Sequence, residues 1–471
     1  MELLVLLALV VVGLSVLIRR HSYTGARRAG APAPAAVVIQ KIANPAIAHR
    51  MLVENADDFS DRPVASFLVA LEKSRGGKQI ESLLSVPHGP LWRALRCNIT
   101  AETLHPSRLG HIAPLQRDAI QGIVAALGKE LPAVVAVREH LFAAVFSVVA
   151  RLCFGDDLDE GHVRAMRCVI RDIQRFAEGG AKASPGSTRA MVAEWRRLRR
   201  QLSSHNRMGQ LCLPLVAARR ECRRPRDGRR PYVDSLIDLR VPDDGDGGRR
   251  ALRDDEFVSL LSEFLGAGTG TVVASLEWTL AHLVNDQEVQ KRLRDEVIDG
   301  GDVVTSSDRS LIRGMPFMNA VVLESLRMHP PVPFIQRHVQ TQAARELGDV
   351  GITRDVIVQF RAGDIGRDNK TWTDPDEFRP ERFLPGGEAE DVGPLPGPKE
   401  IRMMPFGAGH RFCPGVGLGM VNIKCFLAAL VREFEWTPPP MEGCAGVNLT
   451  ELNGFIKLMK KPLSARLTRY S

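Results

Sequence analysis

One cysteine stands apart from the other seven in this 471-residue chain. Cys413 lies in the run Pro405-Phe406-Gly407-Ala408-Gly409-His410-Arg411-Phe412-Cys413-Pro414-Gly415. Its glycines let residues 406–411 form a loop whose backbone can press against a flat partner. Pro414 suits the first position of a following helix. The sulfur would then sit at a helix N-terminus, where the dipole and free N–H groups favour a thiolate. Arg411 is placed to pair with a carboxylate. A thiolate, a glycine-rich platform and an arginine together suit haem, whose iron accepts a thiolate and whose propionates accept arginine. Three other readings compete. A buried structural cysteine before a helix would leave the other positions unexplained. Zinc could use His410 and Cys413, but no second ligand pair stands at suitable spacing. Gly266-x-Gly268-x-Gly270 and Gly415-x-Gly417-x-Gly419 leave the GxGxxG pattern incomplete and lack a βαβ setting.

The composition is that of an ordinary globular chain, 44% hydrophobic and 25% charged, with a net charge of +8. A basic balance suits an acidic partner or an anionic membrane face. Nucleic acid is disfavoured as a partner, because the arginines are scattered or paired and no aromatic-interleaved basic stripe appears. The cysteines contain no CxxC pair and show no disulfide spacing. Leu3–Ile18 is a nearly unbroken apolar run followed by Arg19-Arg20-His21. Positive charge after the run, with Met1-Glu2 before it, favours an uncleaved signal anchor at 1–21 over a cleaved signal peptide. The main domain would then face the cytosol. Residues 22–37 read as a Gly/Ala/Pro/Arg-rich linker, and 38–471 as one domain.

The elements that must position Cys413 are mostly helical. Helical patterns run over Trp92–Glu102, Ala113–Gly128, Val134–Phe154, Met315–Met328 and Pro414–Phe434, with loops at 180–190 and 241–250. The strongest pattern is Asp254–Asn285, with Phe257, Leu260, Leu261, Phe264 and Leu265 on one face. Its 32 residues would extend about 48 Å, across a whole domain. Gly266, Gly268 and Gly270 in its middle suggest a bulge or a group packed against the backbone. Short strand-like runs occur over 345–384 and 445–468. The expected class is mainly α (α+β), a helical domain with small sheets.

At this point a resemblance is plain. The cysteine segment resembles the ligand loop of cytochromes P-450, Phe-x-x-Gly-x-Arg-x-Cys-x-Gly, met at Phe406, Gly409, Arg411, Cys413 and Gly415. The resemblance implies that Cys413 binds the iron of haem b, that Arg411 binds a propionate and that Phe406 shields the sulfur. Glu324-x-x-Arg327 and Arg382 match a buried triad behind the haem, with a folding role. Trp92-x-x-x-Arg96 and His338 match positions that approach the propionates, although the family usually has proline where Arg337 stands. Ala267-Gly268-Thr269-Gly270-Thr271 matches the oxygen-binding pattern. Thr271 keeps the threonine, while Gly270 replaces an acidic residue of the proton relay.

The resemblance covers about residues 38–471 and is closest to plant endoplasmic-reticulum members of the A-type group, family eighty-nine. Phe59-Ser60-Asp61-Arg62-Pro63 and Met403-Met404-Pro405-Phe406 carry that wording. It implies a single-pass endoplasmic-reticulum protein that inserts one oxygen atom from O2 into a small apolar molecule. Electrons would come from NADPH through a separate flavin reductase, steered by Lys399, Arg402, His410 and Lys424. It also implies pocket residues near 95–110, 262–270, 331–337 and 452–456, and a shortened hinge and first sheet. Gly270 keeps open a reductase-independent isomerase or dehydratase, and the shortened N-terminal region an impaired haem protein.

Overall fold

The computed structural model describes residues 39–64, 69, 72, 82–131, 134–178, 188–221, 230–243, 247–301, 314–339, 356–440, 446–452 and 454–470. The expected anchor, the linker and most of the 180–190 loop lie outside them. Gln40–Ser471 forms one compact unit. Its long helices are α1 (Pro90–Glu102), α2 (Ala113–Lys129), α3 (Val137–Phe154), α4 (Glu160–Glu178), α5 (Thr188–Glu221), α6 (Asp254–Asn285), α7 (Gln287–Asp299), α8 (Pro316–Met328) and α9 (Val416–Glu433). Strands are few and short: β1 (Ile39–Ile42), β2 (Val134–Ala136), β3 (Arg240–Pro242), β4 (Arg249–Ala251), β5 (Ile335–Val339), β6 (Val356–Phe360), β7 (Phe434–Thr437), β8 (Glu451–Leu452), β9 (Leu458–Met459) and β10 (Ser464–Arg469). They form sheets β1-β6-β5 and β2-β10-β7 and two hairpins. The mainly α class with small sheets is what the periodicity predicts.

Helix α6 is the axis of the domain. It packs against α3, α5, α8 and α9 and is buried along most of its length. Among the described residues it is also the helix long and apolar enough to cross a membrane, but its apolar face is spent on the core. Its one deeply buried acid in the C-terminal half, Glu277, accepts from Arg138 Nε at 2.8 and 3.0 Å and from the Leu463 N–H at 2.9 Å. This ties α3 and the C-terminal strands to the axis. A second apolar cluster joins the β1-β6-β5 sheet to Met51, Leu52, Met404 and Ala408, and so supports the cysteine loop from below.

Local readings fail where long-range pairing overrides propensity. Val134–Ala136 is strand rather than helix, because it pairs with Ser464–Arg466 and β-branched valines suit that role. Parts of the expected 241–250 loop are strand, since Arg240–Pro242 pairs with Arg249–Ala251. No bulge interrupts α6 at its glycines, since the helix is continuous from 254 to 285.

A buried imidazole pair closes the far end of the axis. His329 lies between the Trp278 ring, stacked at 3.8 Å, and His282, whose Nε2 is 3.0 Å from the His329 Nε2. His329 Nδ1 is 3.0 Å from the Glu451 carboxylate. Burial disfavours a charge on either ring, so with the carboxylate only able to accept, His329 Nδ1 carries its one proton and its Nε2 accepts from His282. The proton positions are assigned from these partners. Burial pushes the His329 pKa down to about 4, against the opposing hydrogen bond that His329 donates to Glu451. Unfolded histidine takes up its proton near pH 6.5, so acidification favours the unfolded chain across the window from about 6.5 to 4. Relative to His329→Asn, the wild type should lose about 2 kcal/mol of stability between pH 7 and pH 5. Paired denaturant titrations check this, and a pH-independent difference would contradict it.

Candidate functional site

The loop that ends at Cys413 is shaped by its glycines and by its own backbone. Gly407 and Gly409 have φ of 78° and 69°, in the left-handed region that favours glycine. A Cβ on Gly409 would also collide with the Leu52 carbonyl oxygen. The Cys413 N–H donates to the Phe406 carbonyl at 2.8 Å and closes the loop. The Gly415 N–H donates to Cys413 Sγ at 3.3 Å. With that N–H turned to sulfur, the regular helix starts at Val416 with Gly415 as its cap. Pro414 thus lies in the turn before α9 and not at its first position. Burial pushes the Cys413 thiol up, while the Gly415 N–H and the cations Arg96 and Arg62 pull the other way.

Three guanidinium groups converge on this loop. Arg411 is buried and gives three of its five donors to main-chain carbonyls, with Nε to Ser60 at 2.7 Å, Nη1 to Leu83 at 3.1 Å and Nη2 to Val86. Its guanidinium lies 4.9 Å from the Trp92 ring centre. Burial, and then Arg62, bring its pKa down to about 10. Arg96, one turn after Trp92 on α1, donates to the Phe412 carbonyl at 2.8 Å and lies 4.6 Å from the Phe412 ring centre. Arg62 reaches the Arg411 carbonyl at 3.5 Å and feels both Glu263 and Cys413. Arg62 was not singled out as a site residue from the sequence. Its one signal is position, a lone cation in the short Phe59–Pro63 segment. His338 meets that segment through its backbone, its N–H donating to the Asp61 carbonyl at 2.9 Å.

Glu263 is a second residue that the sequence did not single out, although it falls in the 262–270 stretch expected near the pocket. It projects from α6 and accepts the Leu83 and Leu84 N–H groups at 3.1 and 3.2 Å. Burial pushes its pKa up to about 7, against these hydrogen bonds and Arg62. It ties the segment before α1 to the axis, two turns ahead of Thr271. The Thr271 hydroxyl donates to the Ala267 carbonyl at 2.7 Å. Gly270 is crowded: a Cβ there would meet the Gln174 carboxamide of α4, and Ile456 Cδ1 at 2.8 Å. Gln174 also donates to the Gly266 carbonyl at 3.3 Å. Residues expected near the pocket at 262–270 and 452–456 are thus neighbours.

Behind the loop, Glu324 accepts from Arg327 Nε at 2.7 Å, Arg327 Nη2 at 2.8 Å, Arg382 Nε at 3.2 Å and the Arg379 N–H at 2.9 Å. All three charged side chains are buried. Arg327 carries on to the Gly366, Pro375 and Glu377 carbonyls. Of the four basic residues proposed to steer a partner, Lys399 and His410 are exposed. Lys424 donates to Asn319, and Arg402 to the Glu388 and Thr371 carbonyls.

Comparison with known proteins agrees with this arrangement. The family model described as Cytochrome P450 matches residues 35–465. Cytochrome P450 89A9 of Arabidopsis thaliana is 34% identical over 435 residues, 89% of this chain and 82% of that protein. Cytochrome P450 98A1 of Sorghum bicolor is 28% identical, covering 89% and 80%. The 2-hydroxyisoflavanone synthase of Glycyrrhiza uralensis is 27% identical, covering 75% and 68%. In fold, a zebra fish cytochrome P450 solved with progesterone superposes with a TM-score of 0.74 at 20% identity, over 94% of this chain and 95% of that one. The chain therefore belongs to the cytochrome P450 family and is a haem-thiolate monooxygenase.

Proposed function

We propose that Cys413 is the axial thiolate of a haem b, and that the chain oxidises a small apolar molecule with electrons passed from NADPH by a separate flavin reductase. The observation that carries this reading is the convergence of Arg62, Arg96 and Arg411 on the loop of the half-buried Cys413. Three cations gathered in one largely enclosed place, with Arg411 buried, call for an anionic guest, and two propionates would supply that charge. Arg62, Arg96, Arg411, Trp92 and His338 would hold the propionate edge, and Phe406, Gly409 and Gly415 would shape the loop around the sulfur. When bound, the haem iron supplies activation of O2 for transfer of one oxygen atom, and thiolate donation favours O–O cleavage. The Thr271 hydroxyl, held on the Ala267 carbonyl, would position protons and water on the α6 side. The test is NADPH consumption by the purified holoprotein with plant reductase, with and without ligands found in a spectral binding screen. Ligand-stimulated, reductase-dependent consumption with an oxygenated product is expected. Product formed without NADPH would favour an isomerase.

Gly270 makes a separate outcome measurable. A carboxylate there could relay protons inward, but its Cβ would displace Gln174 and Ile456. Gly270→Asp alone should therefore gain little coupling, whereas Gly270→Asp with Gln174→Ala should raise product formed per NADPH severalfold and lower peroxide. Equal coupling in the wild type and both variants would show that this position carries no protons.

The proposed location is the endoplasmic-reticulum membrane, with a single span at 3–18 and the domain in the cytosol. It rests on the charge asymmetry around that run. The full chain should stay in the membrane pellet after alkaline carbonate extraction. A mature chain starting near residue 35 would instead mean a cleaved signal peptide.

A further inference from the structure

Strand β5 runs between two parts of the candidate site. Ile335 lies 3.4 Å from where a Cβ on Gly407 of the cysteine loop would be. His338 is bonded through its N–H to the Asp61 carbonyl, next to Arg62. Arg337 stands between them on the buried face of the strand, opposite Val358 in the β5–β6 register, and is 1% exposed. Among the described residues no carboxylate pairs with it. Nη1 donates to the carbonyl of its own neighbour Gln336 at 3.0 Å, and Nε has no partner. The ionic groups that act on it are Arg62 and Arg411, both cations, and with burial they push its pKa well down.

A buried guanidinium without a counter-ion costs several kcal/mol. Proline, the usual residue of the family at this position, would carry neither the charge nor the donors. This chain therefore places an extra cation beside two arginines already assigned to an anionic guest. We infer that Arg337 is a fourth guanidinium of the propionate clamp, a feature of this chain's own sequence, and that haem supplies its missing counter-ion. The inference rests on the reading that Cys413 holds haem. Its consequences are slower haem release and a higher reduction potential, because a cation near the iron favours the less positive ferrous state.

The test uses holoprotein carrying Arg337→Leu, Arg337→Gln or Arg337→Lys. Haem transfer to excess apomyoglobin gives the release rate, and spectroelectrochemistry gives the potential. Leu and Gln should release haem about tenfold faster or more, as expected for loss of a charge-assisted hydrogen bond. Both should shift the potential negative, and Lys should recover part of each effect. Should Leu not fold, Gln preserves size and polarity and answers the same question. Release rates and potentials within error of wild type in Leu or Gln, with Lys the same, would overturn the inference. Absence of the thiolate-type CO spectrum in wild type would instead sink the parent reading, so the two failures are distinguishable.

Discussion

Glu324→Ala is expected to yield no stable folded protein, not merely a slower enzyme. The carboxylate has no solvent exposure and receives Arg327, Arg382 and the Arg379 N–H. Removing it leaves two buried guanidinium groups facing each other. Breaking a buried ion pair from one side costs about 3–5 kcal/mol, and two cations share this acid. Domains are stable by only about 5–15 kcal/mol in total. The loss should be larger than for Arg382→Lys, since Arg327 keeps its fork on Glu324 in that variant. Expression yield, thermal unfolding and haem content of the three proteins check this. A Glu324→Ala protein melting within a few degrees of wild type would contradict the account.

Cys413→His should have the second large effect, and of a different kind. The loop is closed by backbone bonds and left-handed glycines that do not involve the sulfur, so the variant should fold. Arg62, Arg96 and Arg411, the proposed propionate partners, are unchanged in it. Histidine is a neutral donor and lacks the electron push of a thiolate. Reductase-supported oxygenation should fall to background while haem stays bound. Turnover near the wild-type rate would mean that Cys413 is a structural cysteine.

What was legible in the sequence depended on how far apart the cooperating residues lie. The cysteine loop is a local object: Phe406, Gly409, Arg411, Cys413 and Gly415 fall within ten residues, and turn chemistry fixes their relations. Glu324 and Arg327 share a helix face, yet their burial with Arg382 followed only from resemblance. As a bare pair, Glu-x-x-Arg reads as a solvated surface contact. Arg62 was not legible as a site residue, and Glu263 and Arg337 only as members of the stretches 262–270 and 331–337 expected near the pocket. Each acquires its meaning from segments more than 70 residues away, brought together by α6 and the β1-β6-β5 sheet. The same cause explains Val134–Ala136, whose strand partners sit at the far end of the chain. Of the two alternatives for the α6 glycines, the close approach holds for Gly268 and Gly270 but not for Gly266, where a Cβ would meet nothing within 4 Å, and no bulge forms. Val149 crowds Gly268, and Gln174 and Ile456 crowd Gly270, while the helix stays regular.

The central claim is that Cys413 gives its thiolate to a haem iron. The most direct test is the absorption spectrum of the purified, dithionite-reduced protein under CO. The account predicts the strongly red-shifted Soret band of thiolate ligation in wild type, and its replacement by a histidine-type band in Cys413→His. A wild-type protein that holds stoichiometric haem yet shows only the histidine-type band, fresh and at neutral pH, would contradict it.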